Sequence, residues 1–253
     1  MGVRGSNWLI DLGNTRLKWA HGDDQTMRDV HALSHVEGGA IDAQLDDAFA
    51  EMPGGATAWL ASVAGDALTA DVIAALERRA VRVRRVRTQA DFAGVRIAYA
   101  EPARLGVDRF LALIAAHARG HKPWLIASVG TALTLDLLDA DGIHHGGLIA
   151  PSPALMRESL ARRAPQLPVH GGTVVDFAID TPDALASGST LAARALVERS
   201  LHAAAQRIGA MPTLLLSGGG AMALGDDWPV PIERESHLVL HGLRLWAQAQ
   251  AAG

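Results

Sequence analysis

The sequence predicts an α/β protein in two similar halves, each a mixed sheet covered by helices. Two observations carry that expectation. Segments of strand character alternate with segments of helical spacing along the whole chain. The strand that opens each half also resembles the other: WLIDLGNT begins at Trp8 and WLIASVGT at Trp124, and a shift of 117 residues places Asp11 over Ser128 and Gly13 over Gly130. The likeness is read as a duplicated unit, with chance similarity over a few residues as the alternative, a boundary near ARGHKP (118–123) and expected domains of 1–120 and 121–253.

In the first half, NWLIDLG and TRLKWAHG read as paired strands and TMRDVHALS as a possible third. IDAQLDDAFAEM has helical spacing, ATAWLASVA is strand-like, and DALTADVIAALERRA reads as a helix that Asp66 can cap. VRVRRVRT alternates with a period of two, as a strand does. In the second half, the run from Pro123 to Pro151 reads as three strands with a turn at Asp141-Gly142. Helices follow at SPALMRESLARRA and from Thr181 to Gly209, then a buried strand, TLLLSGGG, and a final helix, HLVLHGLRLWAQAQ.

Composition narrows the function classes. The 253 residues are 49% hydrophobic and 20% charged with a formal net charge of −4, which gives no support for a general binder of nucleic acid or anionic membranes. There is no cysteine, so disulfides, thiolate metal sites and cysteine nucleophiles are excluded and a cytoplasmic setting is expected. The start lacks a signal peptide's apolar core; Gly2 and Ser6 fit a loose myristoylation pattern that chance often supplies. RRAVRVRRVR (78–87) lacks interleaved aromatics and reads as a strand edge guarded against aggregation rather than a nucleic-acid surface. His144 and His145 are adjacent, and Gly120 interrupts between His117 and His121, so no transition-metal site is expected.

The chemistry concentrates at glycine turns. No Walker or dinucleotide loop is present. Instead an apolar strand ends on Asp11 and turns through Gly13, Asn14 and Thr15 before Lys18. Backbone amides at such a glycine, two polar side chains and a lysine suit phosphate, and Asp11 suits it only if the carboxylate holds a hydrated Mg²⁺. The alternative is a hairpin whose Asp and Asn satisfy local backbone groups. Gly130 and Thr131, with Thr134, form a second such turn, and Gly218 to Gly220 a third, where a base or ribose can approach. Gly106, Val107, Asp108 and Arg109 fall at the N-terminal turn of a helical stretch, a position that favours anions; Arg109 can grip a carboxylate in two bonds, and Asp108 is the motif's one acid. The alternative there is that Asp108 only caps the helix while Arg109 pairs with Glu101.

Jointly, the D-x-G-N-T-x-x-K run (Asp11, Leu12, Gly13, Asn14, Thr15, Arg16, Leu17, Lys18), the G-x-D-R of Gly106 to Arg109 and the G-T-A-x-T of Gly130 to Thr134 resemble type III pantothenate kinase. That family, also called the Bvg accessory factor family, belongs to the acetate and sugar kinase/Hsp70/actin superfamily, and the likeness runs from residue 8 to about 220. The resemblance implies two ribonuclease H-like domains, actin-like ATPase in type, with an interdomain nucleotide cleft. It implies ATP-dependent phosphorylation of pantothenate to 4′-phosphopantothenate, with Mg²⁺, in a homodimer. Asp11 to Lys18 with Gly130 and Thr131 would bind ATP; Tyr99, Gly106, Val107, Asp108, Arg109 and Thr181 would bind pantothenate, Asp108 being the base. Thr181 reads otherwise as a helix N-cap, with Pro182 in the first helical position. The family usually has an aspartate at the position of Ser128 and binds potassium or ammonium there, so the serine puts that cation in doubt; Ser152 replaces a frequent glycine. Another sugar or acetate kinase, or an accessory regulator that binds ATP without turnover, are the rival readings.

Overall fold

The computed structural model describes residues 7–23, 26–35 and 41–252, so the Gly2/Ser6 pattern lies outside the described residues. The chain forms two compact units. The first holds residues 1–92, 99–115 and 238–253, the second 93–98 and 116–237. They are therefore not contiguous in sequence, as domains of 1–120 and 121–253 would be. Two local contacts account for the exchange. Within the first unit the helix α6 (Leu238–Ala252) meets α3 (Val107–Ala118) so closely that a Cβ on Gly242 would lie 2.0 Å from the Leu111 carbonyl oxygen. Within the second, Arg96 donates its backbone N–H to the Gly142 carbonyl at 2.9 Å.

The first unit is built on a sheet of five strands: β1 (Asn7–Leu12), β2 (Arg16–Gly22), β3 (Met27–Ser34), β4 (Thr57–Ser62) and β5 (Arg82–Arg85). Their order is β3-β2-β1-β4-β5, antiparallel across the first three and parallel from β1 outward through β4 to β5. The parallel strands need helical crossovers, which α1 (Asp42–Ala48) and α2 (Asp66–Arg78) supply. Leu9, Ile10, Leu12 and Leu60 are fully buried, as expected of central strands covered on both faces. Each such side chain contributes about 1.5–3 kcal/mol. β5 is the edge strand, and its Arg82, Arg84 and Arg85 are exposed. Asp66 does not cap α2: Gly65 occupies the cap and Asp66 the first helical position, where a negative charge still complements the helix dipole.

The second unit repeats the plan with β6 (Trp124–Val129), β7 (Ala132–Leu138), β8 (His144–Pro151), β9 (Thr213–Ser217) and β10 (Ile232–Glu235), in the order β8-β7-β6-β9-β10. Strand β10 escaped the sequence reading because its four residues, IERE, are half-buried and mostly charged. Between β8 and β9 run α4 (Pro153–Arg163) and the long α5 (Thr181–Ile208). Ser152 caps α4, its Oγ accepting the Leu155 N–H at 3.2 Å, which gives the serine a structural reason. The cap of α5 is Asp180, accepting from the Asp183 N–H at 2.9 Å, so the expected N-cap Thr181 is the first helical residue. Gly209, left-handed at φ 70°, ends that helix. His144 and His145 pair with different carboxylates, Asp136 and Asp139.

One backbone contact fixes the end of β9. Gly218 has φ +86°, and a Cβ there would lie 2.4 Å from the Val129 carbonyl oxygen; one on Gly220 would meet the Val129 side chain at 2.7 Å. Gly130 is open by comparison, the nearest atom to an added Cβ being the Ala132 carbonyl oxygen at 3.9 Å. Gly218→Ala should therefore cost on the order of 2–3 kcal/mol and lower Tm by roughly 5–10 °C. Gly130→Ala should stay within about 0.5 kcal/mol. Thermal unfolding of the two variants side by side checks the pair.

Candidate active site

In the first unit the β1–β2 hairpin sets the geometry. Cross-strand register pairs Asp11 with Lys18 and Leu12 with Leu17, so carboxylate and ammonium lie side by side on one face while both leucines are buried on the other. Gly13 closes the turn through a hydrogen bond from its N–H to the Arg16 carbonyl at 2.9 Å. That leaves Asn14, Thr15 and Arg16 exposed at the tip. The Asp11 carboxyl is pushed up to about 7 from its ordinary 3.8: burial is the main cause, Lys18 pulls it back, and the charge of Asp108 adds to the rise.

Asp108 sits in the first turn of α3. Its Oδ1 accepts the backbone N–H of Arg109 at 2.8 Å; lying inside the helix, Asp108 is not its cap, but it satisfies one of the first turn's free amides. A Cβ on Gly106 would lie 2.6 Å from that same oxygen, so glycine at 106 is what lets the carboxylate take this position. Arg109 is not a surface partner of Glu101. It is buried, with its guanidinium donating to the Tyr99 hydroxyl at 3.3 Å and lying 6.0 Å from the Tyr99 ring centroid, while Glu101 pairs with Arg104 at 2.9 Å. Val107 is buried beside them in the same turn. The structure thus gathers Asp11, Lys18, Asp108, Arg109 and Tyr99 within one unit.

In the second unit, register rather than sequence proximity brings two glycine turns together. Ser128 lies opposite Thr134 on β7 and Ser217 on β9, so the β6–β7 turn with Gly130 and Thr131 adjoins Gly218 to Gly220. The Gly220 N–H donates to the Val129 carbonyl at 2.9 Å. Gly218 and Gly220 thereby acquire a packing reason, separate from the approach of a base or ribose. Thr181 is exposed at the start of α5.

The donor set fits Mg²⁺. Asp11 supplies one hard carboxylate whose desolvation a cation would relieve. That matches an ion carried mainly by water and phosphates with one protein carboxylate. Sequence reasoning missed His35, which is buried behind the hairpin with Nε2 3.1 Å from the Gly13 carbonyl oxygen. Its position at the end of β3 carried no motif.

Comparison with known proteins agrees. Residues 7–203 match the family described as type III pantothenate kinase. The type III pantothenate kinase of Xanthomonas oryzae pv. oryzae (strain PXO99A) is 53% identical over 247 residues, 98% of this chain and 99% of the relative. That of Stenotrophomonas maltophilia (strain K279a) is 51% identical over 248 residues, covering 98% and 100%. Among solved structures, a Baf family protein from Campylobacter jejuni superposes with TM-score 0.63 at 18% identity, covering 97% of this chain and 100% of that one. MreB 5 of Spiroplasma citri bound to AMPPNP gives 0.53 at 10% identity, covering 99% and 98%. These likenesses, with the repeated strand order, show a fold of two ribonuclease H-like units.

The raised Asp11 pKa has a stability consequence with a definite sign. Its folded value lies above its unfolded one, so folding loses stability as the pH rises from 3.8 towards about 7 and Asp11 must be held ionised. In nucleotide-free protein with EDTA, Asp11→Asn should leave Tm unchanged near pH 4 and raise it at pH 8, by the equivalent of a few kcal/mol at most. Thermal melts of both proteins across that range test it.

Proposed function

The chain belongs to the type III pantothenate kinase family, and on that premise we propose how its residues divide the ATP-dependent phosphorylation of pantothenate, the first step of coenzyme A biosynthesis. What most supports the assignment is that Asp108 stands close enough to Asp11 for their charges to interact. A phosphate hairpin and an acid at a helix start thus share one unit.

Phosphoryl transfer asks the protein for positioning and charge neutralisation more than covalent chemistry. Asp11, Leu12, Gly13, Asn14, Thr15, Arg16, Leu17 and Lys18 form the hairpin that holds the β- and γ-phosphates; Gly130 and Thr131 are assigned to ATP by the family resemblance. Mg²⁺, carried with ATP and held by Asp11 through water, offsets the phosphate charge when bound. Arg109 meets the pantothenate carboxylate, and its contact with Tyr99 holds the guanidinium fork in place. Gly106 and Val107 complete the acceptor turn; Thr181, whose capping role is taken by Asp180, is assigned to substrate by the family resemblance.

Asp108 accepts the proton of the primary hydroxyl as that oxygen bonds to the γ-phosphorus, and the bond from phosphorus to the β-γ bridging oxygen breaks to leave ADP. A homodimer is part of the proposal, supported by apolar side chains that the second unit leaves exposed: Leu148, Ile149, Phe177 and Ile179. So is a cytoplasmic setting, in keeping with the absence of cysteine; no helix among the described residues is long and apolar enough to cross a membrane.

An ADP-release assay with pantothenate tests the function and the roles together. Asp108→Asn should lower kcat by about 10²-fold or more with Tm nearly unchanged. Gly106→Ala, which crowds the Asp108 carboxylate, should lower kcat in the same direction by a smaller factor. Pantothenate-independent ADP release, or normal turnover in Asp108→Asn, would overturn the assignment.

The cation question has its own test. The Ser128 position offers neighbouring hydroxyls, Thr134 and Ser217, in place of a carboxylate, and neutral oxygens hold a monovalent cation weakly. Potassium in place of sodium should change the rate less than about twofold, and Ser128→Asp should create a dependence on potassium. A large stimulation of the natural protein by potassium would refute this.

A further inference from the structure

We infer that His35 is a positioning residue for the nucleotide: it turns the Gly13 carbonyl of the first phosphate turn inward, so that the Asn14 amide faces the anion. This rests on the reading that Asp11 to Lys18 hold the triphosphate. Two hydrogen bonds carry the inference. The imidazole Nε2 lies 3.1 Å from the Gly13 carbonyl oxygen, and the His35 backbone N–H lies 3.1 Å from the Thr15 carbonyl oxygen. Together they hold the Gly13–Asn14 and Thr15–Arg16 peptides. A carbonyl only accepts, so Nε2 carries the proton and donates it. The other ring nitrogen, Nδ1, has no hydrogen-bond partner among the described residues, which leaves the Gly13 carbonyl as the polar contact that orients the ring.

The consequence follows from the geometry of the peptide. In a trans peptide the C=O and the next N–H point in opposite directions. With the Gly13 carbonyl aimed at a buried imidazole, the Asn14 N–H is directed away from it, towards the exposed tip. The Thr15 carbonyl, aimed at the His35 backbone, continues the β2–β3 ladder and steadies the base of the turn. Left untethered, the Gly13–Asn14 peptide can rotate and present its carbonyl oxygen to the phosphates, exchanging attraction for repulsion. Preorganised amides are effective because no reorientation is needed when charge arrives.

Glutamine and asparagine separate positioning from packing. The Gln side-chain amide nitrogen reaches about as far as Nε2 of histidine and can donate to the Gly13 carbonyl, whereas the shorter Asn side chain cannot. The measurements are steady-state kinetics for both substrates and thermal unfolding of His35→Gln, His35→Asn and His35→Ala, with Lys18→Ala as reference. The expected result is a KM for ATP about tenfold higher in His35→Asn and His35→Ala, the order of one lost hydrogen bond, and within twofold of natural in His35→Gln. KM for pantothenate and kcat at saturating ATP should move less than twofold in all three. Equal KM values for ATP in the Gln and Asn variants, or an effect confined to Tm, would overturn the inference. If Lys18→Ala raises KM for ATP while the His35 variants do not, only the role of His35 falls. If Lys18→Ala is silent as well, the phosphate turn itself has been misassigned.

Discussion

A half-buried carboxylate at the end of a strand, with a second acid near it, is unfavourable until a cation joins it, and Asp11 is such a group. Much of the first unit serves to place it. The hairpin register sets Lys18 at its side, and the fully buried Leu12 and Leu17 on the opposite face resist a one-residue slip, which would carry Asp11 into the core. The neighbouring Asp108 worsens the local charge balance instead of relieving it. Two acids within reach of each other are wasteful for stability and useful for a site that must attract a metal-bound polyanion and then take up a proton.

The repeated sheet order shows how one scaffold yields two different turns. Both units place an antiparallel three-strand meander beside parallel strands, and both present the first hairpin at the end of their central strand. The turns differ in detail. Gly13 bonds to Arg16, whereas Gly130 bonds to Ala132, so the second turn is a residue tighter and lacks a counterpart for the Asn14–Thr15 tip. The strands before them differ as well: one ends with a carboxylate, the other with a serine among hydroxyls. The two units share a frame and differ in chemistry at positions the frame leaves open.

Much of this was legible in the residues, for identifiable reasons. Long apolar strands and amphipathic helices announce themselves through periodicity, and the glycine turns through residues that have few other uses. Strand β10 did not, because a short, half-buried edge strand has no apolar alternation to show. The helix starts were placed a residue off at Asp66 and Thr181, since a cap depends on backbone angles that Asp, Gly and Thr can all adopt. Arg109 had two readings, and only the fold could reveal that it is buried against Tyr99. The contact of His35 with Gly13 joins residues 22 positions apart, through a side chain whose meaning is tertiary.

The close crossing of α6 on α3 also bears on how the molecule is made. Gly242 lets the helix backbones meet where any side chain would strike Leu111, so the first unit is completed by a segment that follows the whole of the second. During synthesis the amino-terminal sheet therefore emerges with one flank uncovered, and it must wait for more than a hundred further residues before that flank can close. Folding of this chain on the ribosome is thus expected to finish where it began.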